Sequence, residues 1–305
     1  MNLTEVVVRE DDTFSILSNK VRLATILGTI QSTLTNFNFL SEEWKKNTEE
    51  ERLLGVSLTG IMDNLFMSGD RALDGGDFDS NYNTLESNLE ALKNISRSTN
   101  EEFSKQLGIA ASVAITCVKP SGTVSQLVDS GSGIHSRHAP YYIRRLRMDK
   151  KDPVCEFLIS KGIQAEDCVL NPASTYIFSF PQKAPEGAIT RNDKTALEQL
   201  ELWLIYQHHW CEHKPSVTIT VRDNEWMEVG AWVWEHFDEI SGVSFLPHSN
   251  HTYQQAPYEE INKEEYEEWI KTYPKDLDWT SMVEEADNTT SSQELACVGN
   301  SCEII

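Results

Sequence analysis

Residues 112–127 read SVAITCVKPSGTVSQL, a strand-like run followed at once by a turn and the first residues of a helix. The β-branched and apolar residues between Val113 and Val118 are typical of a strand. Pro120 and Gly122 then interrupt the run, and hydroxyl residues follow where a helix would begin. Because a strand joined in this way to a helix is the repeating unit of parallel α/β folds, the stretch predicts that fold class.

The same alternation of strands and helices continues on both sides of this stretch. The pattern predicts six strands, at residues 2–9, 54–58, 113–118, 174–180, 217–221 and 242–246. Helices are predicted between them, among them one from residue 61, one over 195–213 and an acidic one over 258–279. Strands that alternate with helices predict an α/β protein with a parallel layer or barrel.

The helix after the first strand carries apolar residues at three- and four-residue spacing. These residues are Leu23, Leu27, Ile30, Leu34 and Phe37. Since residues at this spacing share one face of a helix, the pattern predicts a single buried stripe.

The composition limits the partners of the chain. Its 305 residues carry a formal net charge of -22, so a broad surface for nucleic acid or an anionic membrane would be electrostatically unfavourable. The sequence has no apolar run of about 18 residues and no basic start followed by an apolar segment. We therefore expect a cytoplasmic protein that binds neither nucleic acid nor membrane.

The chain ends in a polar stretch with two cysteines. Residues 284–305 are too rich in small polar residues to bury an apolar core, and they are predicted to form a flexible tail after a folded part at residues 1–283. Cys297 and Cys302 lie five residues apart around a Gly-Asn turn. Such a pair suits thiol–disulfide exchange with an external reductant, although a metal half-site or an accidental pair would have the same spacing.

Two further groups of residues are candidate binding sites. The turn formed by Ser121, Gly122, Thr123, Val124 and Ser125 offers backbone N–H groups and hydroxyls that could hold a phosphate, or it is an ordinary turn with a helix cap. A basic island follows, with His135, His138, Tyr141 and the arginines 137, 144, 145 and 147. It could receive an anionic ligand or the polar rim of a cofactor, or form a structural ion-pair network. A group of histidines at 208, 209 and 213 with Cys211 suggests zinc, but core packing is the better interpretation, so no metal site is predicted.

The motifs together resemble those of one enzyme family. The string VKPSGTVSQL at 118–127 and the string GIHSRHAPYYIRR at 133–145 resemble the class II, cobalamin-dependent ribonucleotide reductases. So do residues 55–60, 213–219, 242–247 and 253–258. With the terminal cysteine pair, the likeness covers essentially the whole chain in order.

The resemblance implies a fold and a reaction. In that family a ten-stranded α/β barrel reduces ribonucleotides to deoxyribonucleotides with a thiyl radical that adenosylcobalamin generates, and this chain would supply the C-terminal part of the barrel. Residues 121–125 would bind the substrate phosphates. Cys297 and Cys302 would re-reduce the active-site disulfide and then be reduced by thioredoxin or glutaredoxin. The resemblance also places cobalamin contacts near His135, His138 and Tyr141.

The sequence departs from the family at its start. The radical cysteine belongs to a loop upstream of residue 1 in the family, and Met1 stands where the second active-site cysteine is expected before Asn2. We therefore expect an N-terminal reductase chain as partner, with this chain either the small part of a split enzyme or a truncated piece. A fragment of a class I reductase is the nearest rival, although residues 217–220 lack the adjacent tyrosines of that class. A structural or regulatory partner of a complete reductase is the non-enzymatic alternative.

Overall fold

A computed structural model of the chain describes residues 1–70, 84–248 and 254–282 and shows a mixed α/β fold. The chain forms two compact units. Among the described residues, the first unit contains 1–70, 84–137 and 186–248, and the second contains 138–185 and 254–282. The predicted tail at 284–305 lies outside the described residues. Among the helices that are described, none is long and apolar enough to cross a membrane.

The helices and strands follow one another in this order along the described ranges: β1 (Asn2–Val7), α1 (Phe14–Gln31), α2 (Glu42–Glu51), β2 (Leu54–Thr59), a 3₁₀ turn (Ile61–Asp63), α3 (Leu85–Leu107), β3 (Thr116–Cys117), α4 (Val124–Leu127), β4 (Tyr141–Asp149), α5 (Pro153–Ser160), β5 (Ala165–Asp167), β6 (Thr175–Lys183), α6 (Ala196–His209), β7 (Ser216–Val221), α7 (Trp226–Glu235), β8 (Gly242–Pro247), β9 (Tyr258–Glu260), α8 (Lys263–Thr272) and a final 3₁₀ turn (Trp279–Ser281).

Parallel strands form the centre of the first unit. β1, β2 and β3 pair in that order, and β7 pairs with β8, all in parallel. A parallel bridge between Val118 and Pro215 joins the end of β3 to the start of β7. The N–H of Ser216 donates to the carbonyl of Val118 at 2.9 Å across this junction. The predicted parallel layer is therefore present, with the strand order β1, β2, β3, β7 and β8.

The two faces of these strands differ in polarity. One face contributes to a core that includes Val56 and Ile219 from the strands and Val21, Leu89 and Trp203 from the helices. Because side chains alternate along a strand, the other face carries the polar residues. On that face Ser57 pairs with Glu5 and with Cys117 across the first three strands, and Thr218 pairs with Ser244 across β7 and β8.

The second unit contains an antiparallel sheet of order β5, β6, β4 and β9. The strand predicted at 174–180 is β6, but it pairs antiparallel to β4 over nine positions and so does not belong to the parallel layer. β4 carries the three arginines of the predicted basic island, and no strand was predicted there. Cys155, Phe157 and Phe178 form the apolar centre of this unit with Leu158 and Ile163.

Several predicted boundaries were wrong. The strand predicted at 113–118 is confined to Thr116–Cys117, followed by the single bridge at Val118. The helix predicted from residue 61 is a single 3₁₀ turn, because the side chain of Asn64 accepts the backbone N–H groups of Phe66 and Met67 at 3.1 and 3.0 Å and so replaces the next helical bonds. The acidic helix predicted over 258–279 is shorter, with β9 before it and α8 confined to Lys263–Thr272.

The predicted buried stripe of α1 was also wrong. The buried face of α1 begins with Leu17 and continues with smaller side chains, among them Val21, Ala24 and Gly28. A Cβ on Gly28 would already lie 3.4 Å from Leu54, so the sheet approaches this face too closely for a leucine. Leu23 and Leu27 instead lie on the opposite side and are 58% and 62% exposed.

Candidate functional site

The turn at residues 119–125 lies at the carboxyl end of β3 and is fixed by side chains from β2 and from the loop that follows the turn. The N–H of Lys119 donates to Ser57 Oγ at 2.9 Å, and the N–H of Ser121 donates to Ser132 Oγ at 3.0 Å. Within the turn, the N–H of Ser125 donates to Ser121 Oγ at 3.1 Å, and the Ser125 hydroxyl donates to the carbonyl of Ser121. Ser121 and Ser125 are both buried, so they shape the turn.

The middle of the turn is open for a ligand. Within the part of the chain that the structure describes, the N–H groups of Gly122, Thr123 and Val124 donate no hydrogen bond, and the side chain of Thr123 is exposed. The helix that follows, α4, has only four residues and contributes little helix dipole. Three neighbouring backbone donors and one exposed hydroxyl are nevertheless suited to phosphate oxygens.

The polar face of the sheet brings a carboxyl and a thiol near this turn. Burial raises the pKa of Glu5 above its usual value, and nearby hydroxyls of Ser121 and Thr59 partly oppose the rise. Burial raises the pKa of Cys117 to about 11, so its thiol is protonated at neutral pH and is no ready nucleophile. Glu5 was not among the predicted site residues. The feature of the sequence that could have identified it is a carboxylate next to the β-branched residues of a predicted strand.

A buried ion pair holds the loop that follows the turn. Arg137 Nε lies 2.8 Å from Asp63 Oδ1, and Arg137 Nη2 lies 2.8 Å from Asp63 Oδ2. Their side chains are 4% and 2% exposed. The N–H of Gly131 donates to the same carboxylate at 2.8 Å. Arg137, predicted as part of a ligand-binding or ion-pair island, therefore fixes the loop onto the 3₁₀ turn after β2.

Glycine is needed at one position in this loop. Gly133 has a φ of +57°, and a Cβ there would lie 2.5 Å from the carbonyl oxygen of Lys119. The N–H of Gly133 donates to Thr59 Oγ1 at 2.9 Å. This close approach keeps the loop against the start of the candidate phosphate turn.

His135 is fixed through both ring nitrogens. Its Nδ1 lies 2.8 Å from the carbonyl of Ser132, and its Nε2 accepts the N–H of Thr218 at 2.9 Å. Burial lowers the pKa of His135 to about 4, so the ring is neutral, with its proton on Nδ1. The imidazole of His135 therefore accepts a backbone N–H group of β7, the strand next to β3 in the sheet. It keeps no ring nitrogen for the cofactor contact predicted at this residue.

The protonation of His135 predicts a pH-dependent stability. Because its pKa in the folded chain lies below 6.5, the unfolded chain binds more protons between about 6.5 and about 4. This contribution to the free energy of unfolding is fully present above pH 6.5 and is lost as the pH falls toward 4. We expect chemical unfolding of a His135→Gln variant to show a weaker pH dependence in this window. An unchanged slope would contradict a neutral, buried His135.

The histidine, tyrosines and arginines of the second unit form an aromatic and ion-pair cluster. The ring of His138 stacks on Tyr258 with centroids 5.4 Å apart, and the ring of Tyr141 lies 5.2 Å from that of Tyr266. Arg144 Nη1 lies 2.5 Å from the hydroxyl of Tyr258.

The other two arginines of this strand are also used within the unit. Arg145 pairs with Glu259 at 2.5 Å, and Arg147 Nη2 donates to the carbonyl of Gln255 at 2.9 Å. Of the two interpretations of the basic island, these contacts favour a structural network for the three arginines of β4. The network fixes β4 to the segment around β9.

Comparison with known proteins assigns the family. No family model matches the chain. An adenosylcobalamin-dependent ribonucleoside-triphosphate reductase of Euglena gracilis is 31% identical over 264 residues, covering 85% of this chain and 35% of the relative. A reductase with the same description from Lactobacillus leichmannii is 29% identical over 295 residues, covering 87% of this chain and 39% of that relative. The crystal structure of a B-12 dependent (class II) ribonucleotide reductase matches with a TM-score of 0.73 and 26% identity, covering 90% of this chain and 40% of that one.

The chain belongs to the class II ribonucleotide reductase family. It spans about two fifths of the length of the relatives that it matches. Within this class II chain the parallel strands and the turn at 119–125 form the candidate site.

The cysteines of this class II chain fall into two groups. Cys117, Cys155, Cys168 and Cys211 are free and buried. The pair predicted to be redox-active, Cys297 and Cys302, lies outside the described residues. Over residues 1–70, 84–248 and 254–282, no group of three or more His, Cys, Asp or Glu side chains is arranged to hold a metal ion.

Proposed function

We propose that this chain supplies the substrate-phosphate turn and the thiol shuttle of an adenosylcobalamin-dependent ribonucleotide reductase. The observation that carries the proposal is the open turn at the carboxyl end of β3, where the N–H groups of Gly122, Thr123 and Val124 and the Thr123 hydroxyl are available together. Ser121 and Ser125 would hold the turn in shape. The substrate would be a ribonucleoside di- or triphosphate.

The reaction replaces the 2′-hydroxyl of the ribose by hydrogen and releases water. Two thiols supply the electrons and become a disulfide, so the enzyme must be re-reduced after each round. Cys297 and Cys302 would reduce that disulfide by exchange and would then be reduced by thioredoxin or glutaredoxin. The radical cysteine would come from the complementary segment, by which we mean the part of the reductase that this sequence does not contain.

The proposed cofactor is adenosylcobalamin, which would supply the radical chemistry when bound. The aromatic cluster of the second unit fits one wall of a large planar group, because the rings of His138 and Tyr258 stack and Tyr142 lies beside them. His138 and Tyr141 would line the cofactor from this chain. His135 would act indirectly, by holding its own loop in place through the hydrogen bond with Thr218.

Reassembly with the complementary segment tests this function. We expect the mixture to form deoxyribonucleotide only when adenosylcobalamin is present, with a small dithiol as reductant. Product that instead requires a separate metal-radical protein would identify a class I fragment. If the complementary segment alone is fully active and this chain leaves its rate unchanged, the proposed function is wrong. The chain would then be a structural partner of the reductase and not part of its active site.

The phosphate turn predicts the effect of one substitution. Thr123→Val removes the exposed hydroxyl while keeping the shape of the side chain, and a hydrogen bond to a charged group contributes about 1.5–3 kcal/mol. We therefore expect KM for the nucleotide to rise by about tenfold or more, with kcat little changed. Steady-state kinetics of the reassembled enzyme measure both. Thr272→Val, in α8, is the matched control and should change neither value, and an unchanged KM in Thr123→Val would argue against this turn.

A further inference from the structure

The turn at 119–125 offers hydrogen-bond donors but little positive charge. The open N–H groups of Gly122, Thr123 and Val124 carry only partial charges, and α4 is too short to add much of a helix dipole. The phosphates of a nucleotide carry several negative charges, and the formal net charge of this chain is -22. Because like charges repel, phosphates at the turn need a cation of the protein close by.

Two arginines hold the loop that follows the turn, and both are bound to protein acceptors. Arg9 donates from its two Nη atoms to the carbonyls of Val128 and Asp129, at 2.5 and 2.7 Å. Arg137 forms the buried ion pair with Asp63. Neither guanidinium could turn toward a phosphate without losing these bonds, so the missing charge has to come from another residue.

Lys119 differs from both arginines. It begins the turn, and its backbone N–H is held by Ser57 Oγ at 2.9 Å. Over residues 1–70, 84–248 and 254–282, its ammonium group forms no hydrogen bond and no ion pair, although the side chain is half-buried. An ammonium group that is partly removed from water without a partner is unfavourable. Lys119 therefore has a positive charge that no protein group uses.

A neighbouring thiol shows where this charge lies. Burial raises the pKa of Cys117 to about 11, and the positive charge of Lys119 partly opposes that rise. Cys117 pairs with Ser57 on the polar face of the sheet. Lys119 follows Cys117 by two residues and precedes a proline, which favours extended backbone and places both side chains on the same face. The ammonium group thus lies on the polar face, at the end of β3 where the turn begins.

We propose that the ammonium group of Lys119 binds the phosphates of the nucleotide that occupies the turn. The inference rests on the proposed function and deepens it, because it assigns a charged partner to the same phosphate site. The backbone N–H groups and the Thr123 hydroxyl would fix the phosphate oxygens, and Lys119 would neutralise part of their charge. Lysine suits this role, since its ammonium is a compact charge with three donors on a flexible stem.

A second Lys-Pro-Ser tripeptide shows what a solvated lysine in the same local sequence looks like. Residues 214–216 repeat the tripeptide of residues 119–121. Lys214 is exposed and stands before the amino end of β7, whereas Lys119 follows the carboxyl end of β3. Ligands of parallel α/β proteins bind at the carboxyl ends of the strands. Lys214 is therefore a matched control for Lys119.

Titration of the purified chain with inorganic pyrophosphate tests the proposal. Calorimetry measures the affinity, and the amide resonances of Gly122, Thr123 and Val124 report whether the ligand occupies the turn. We expect Lys119→Met to weaken pyrophosphate binding by about tenfold or more, because a hydrogen bond from a charged donor is lost. Lys119→Arg keeps the charge and should retain most of the affinity. Lys214→Met should bind as the unaltered chain does.

The dependence on salt separates the charge of Lys119 from its shape. Added sodium chloride should weaken binding less in Lys119→Met than in the unaltered chain, because the charge that salt would screen is gone. Lys119→Gln also lacks the charge and should show the same loss, which guards against a folding defect of one variant. Thermal unfolding of both variants should match that of the unaltered chain.

Three results would overturn the proposal. They are equal affinities of Lys119→Met and the unaltered chain, binding that leaves the resonances of the turn unmoved, and no binding by the unaltered chain. The proposal and the proposed function fail differently. An unchanged KM for the nucleotide in reassembled Lys119→Met would reject only the role of Lys119, whereas binding of pyrophosphate that depends on Lys119 without any formation of deoxyribonucleotide would reject only the function.

Discussion

Replacing Cys297 by serine is expected to abolish repeated turnover with thioredoxin while leaving one round of reduction in enzyme that was reduced beforehand. The first round uses electrons already stored in the active-site thiols. Later rounds need an exchange partner that reaches from that site to the external reductant, and a tail with one thiol cannot complete this exchange. Rapid-quench measurement of product per enzyme, with and without thioredoxin, separates the first round from the later ones.

The same tail provides controls for this experiment. Cys302→Ser should behave as Cys297→Ser does, and Ser301→Ala should have no effect, because it changes the same turn without removing a thiol. A small dithiol that reaches the active site directly should restore turnover to the cysteine variants. Steady turnover with thioredoxin in Cys297→Ser would rule out the shuttle.

Replacing Arg137 by methionine is expected to lower the free energy of unfolding of the chain by about 3–5 kcal/mol. The substitution leaves the buried carboxylate of Asp63 without its cation, and an uncompensated buried charge is costly. Urea denaturation followed by tryptophan fluorescence measures the change. A loss below about 1 kcal/mol would show that water or another cation reaches Asp63.

Two further variants distinguish the energetic contribution of the ion pair from the general effect of removing an arginine. Arg97→Met removes an arginine whose side chain is half-exposed beside Glu212, and it should cost less than about 1 kcal/mol. Adding Asp63→Leu to Arg137→Met removes the stranded charge and should recover part of the loss. Recovery should be incomplete, since the N–H of Gly131 also loses its acceptor.

Much of the candidate site could be predicted from local sequence. The turn at 121–125 was predicted because proline, glycine and hydroxyl residues directly follow a β-branched run, and these residue types determine backbone conformation over a few positions. The role of His135 could not be predicted in the same way. Its neutral state depends on a hydrogen bond from Thr218, which lies 83 residues further along the chain.

The contacts within the antiparallel sheet could not be predicted from local sequence either. The arginines of β4 predicted either a ligand-binding site or a structural ion-pair network, because the local sequence does not show whether a partner for each charge lies nearby. Their partners, Tyr258 and Glu259, lie 114 residues away from Arg144 and Arg145, and only folding brings them together.

The sequence by itself determined the α/β class, the parallel layer, the turn at 121–125 and the likeness to class II reductases, because each depends on residue types at short spacing. Only the tertiary structure decided which face of α1 is buried. Both faces are apolar, and the close approach of the sheet at Gly28 selects the smaller one. The tertiary structure likewise paired Asp63 with Arg137, since a buried ion pair depends on where two distant loops meet.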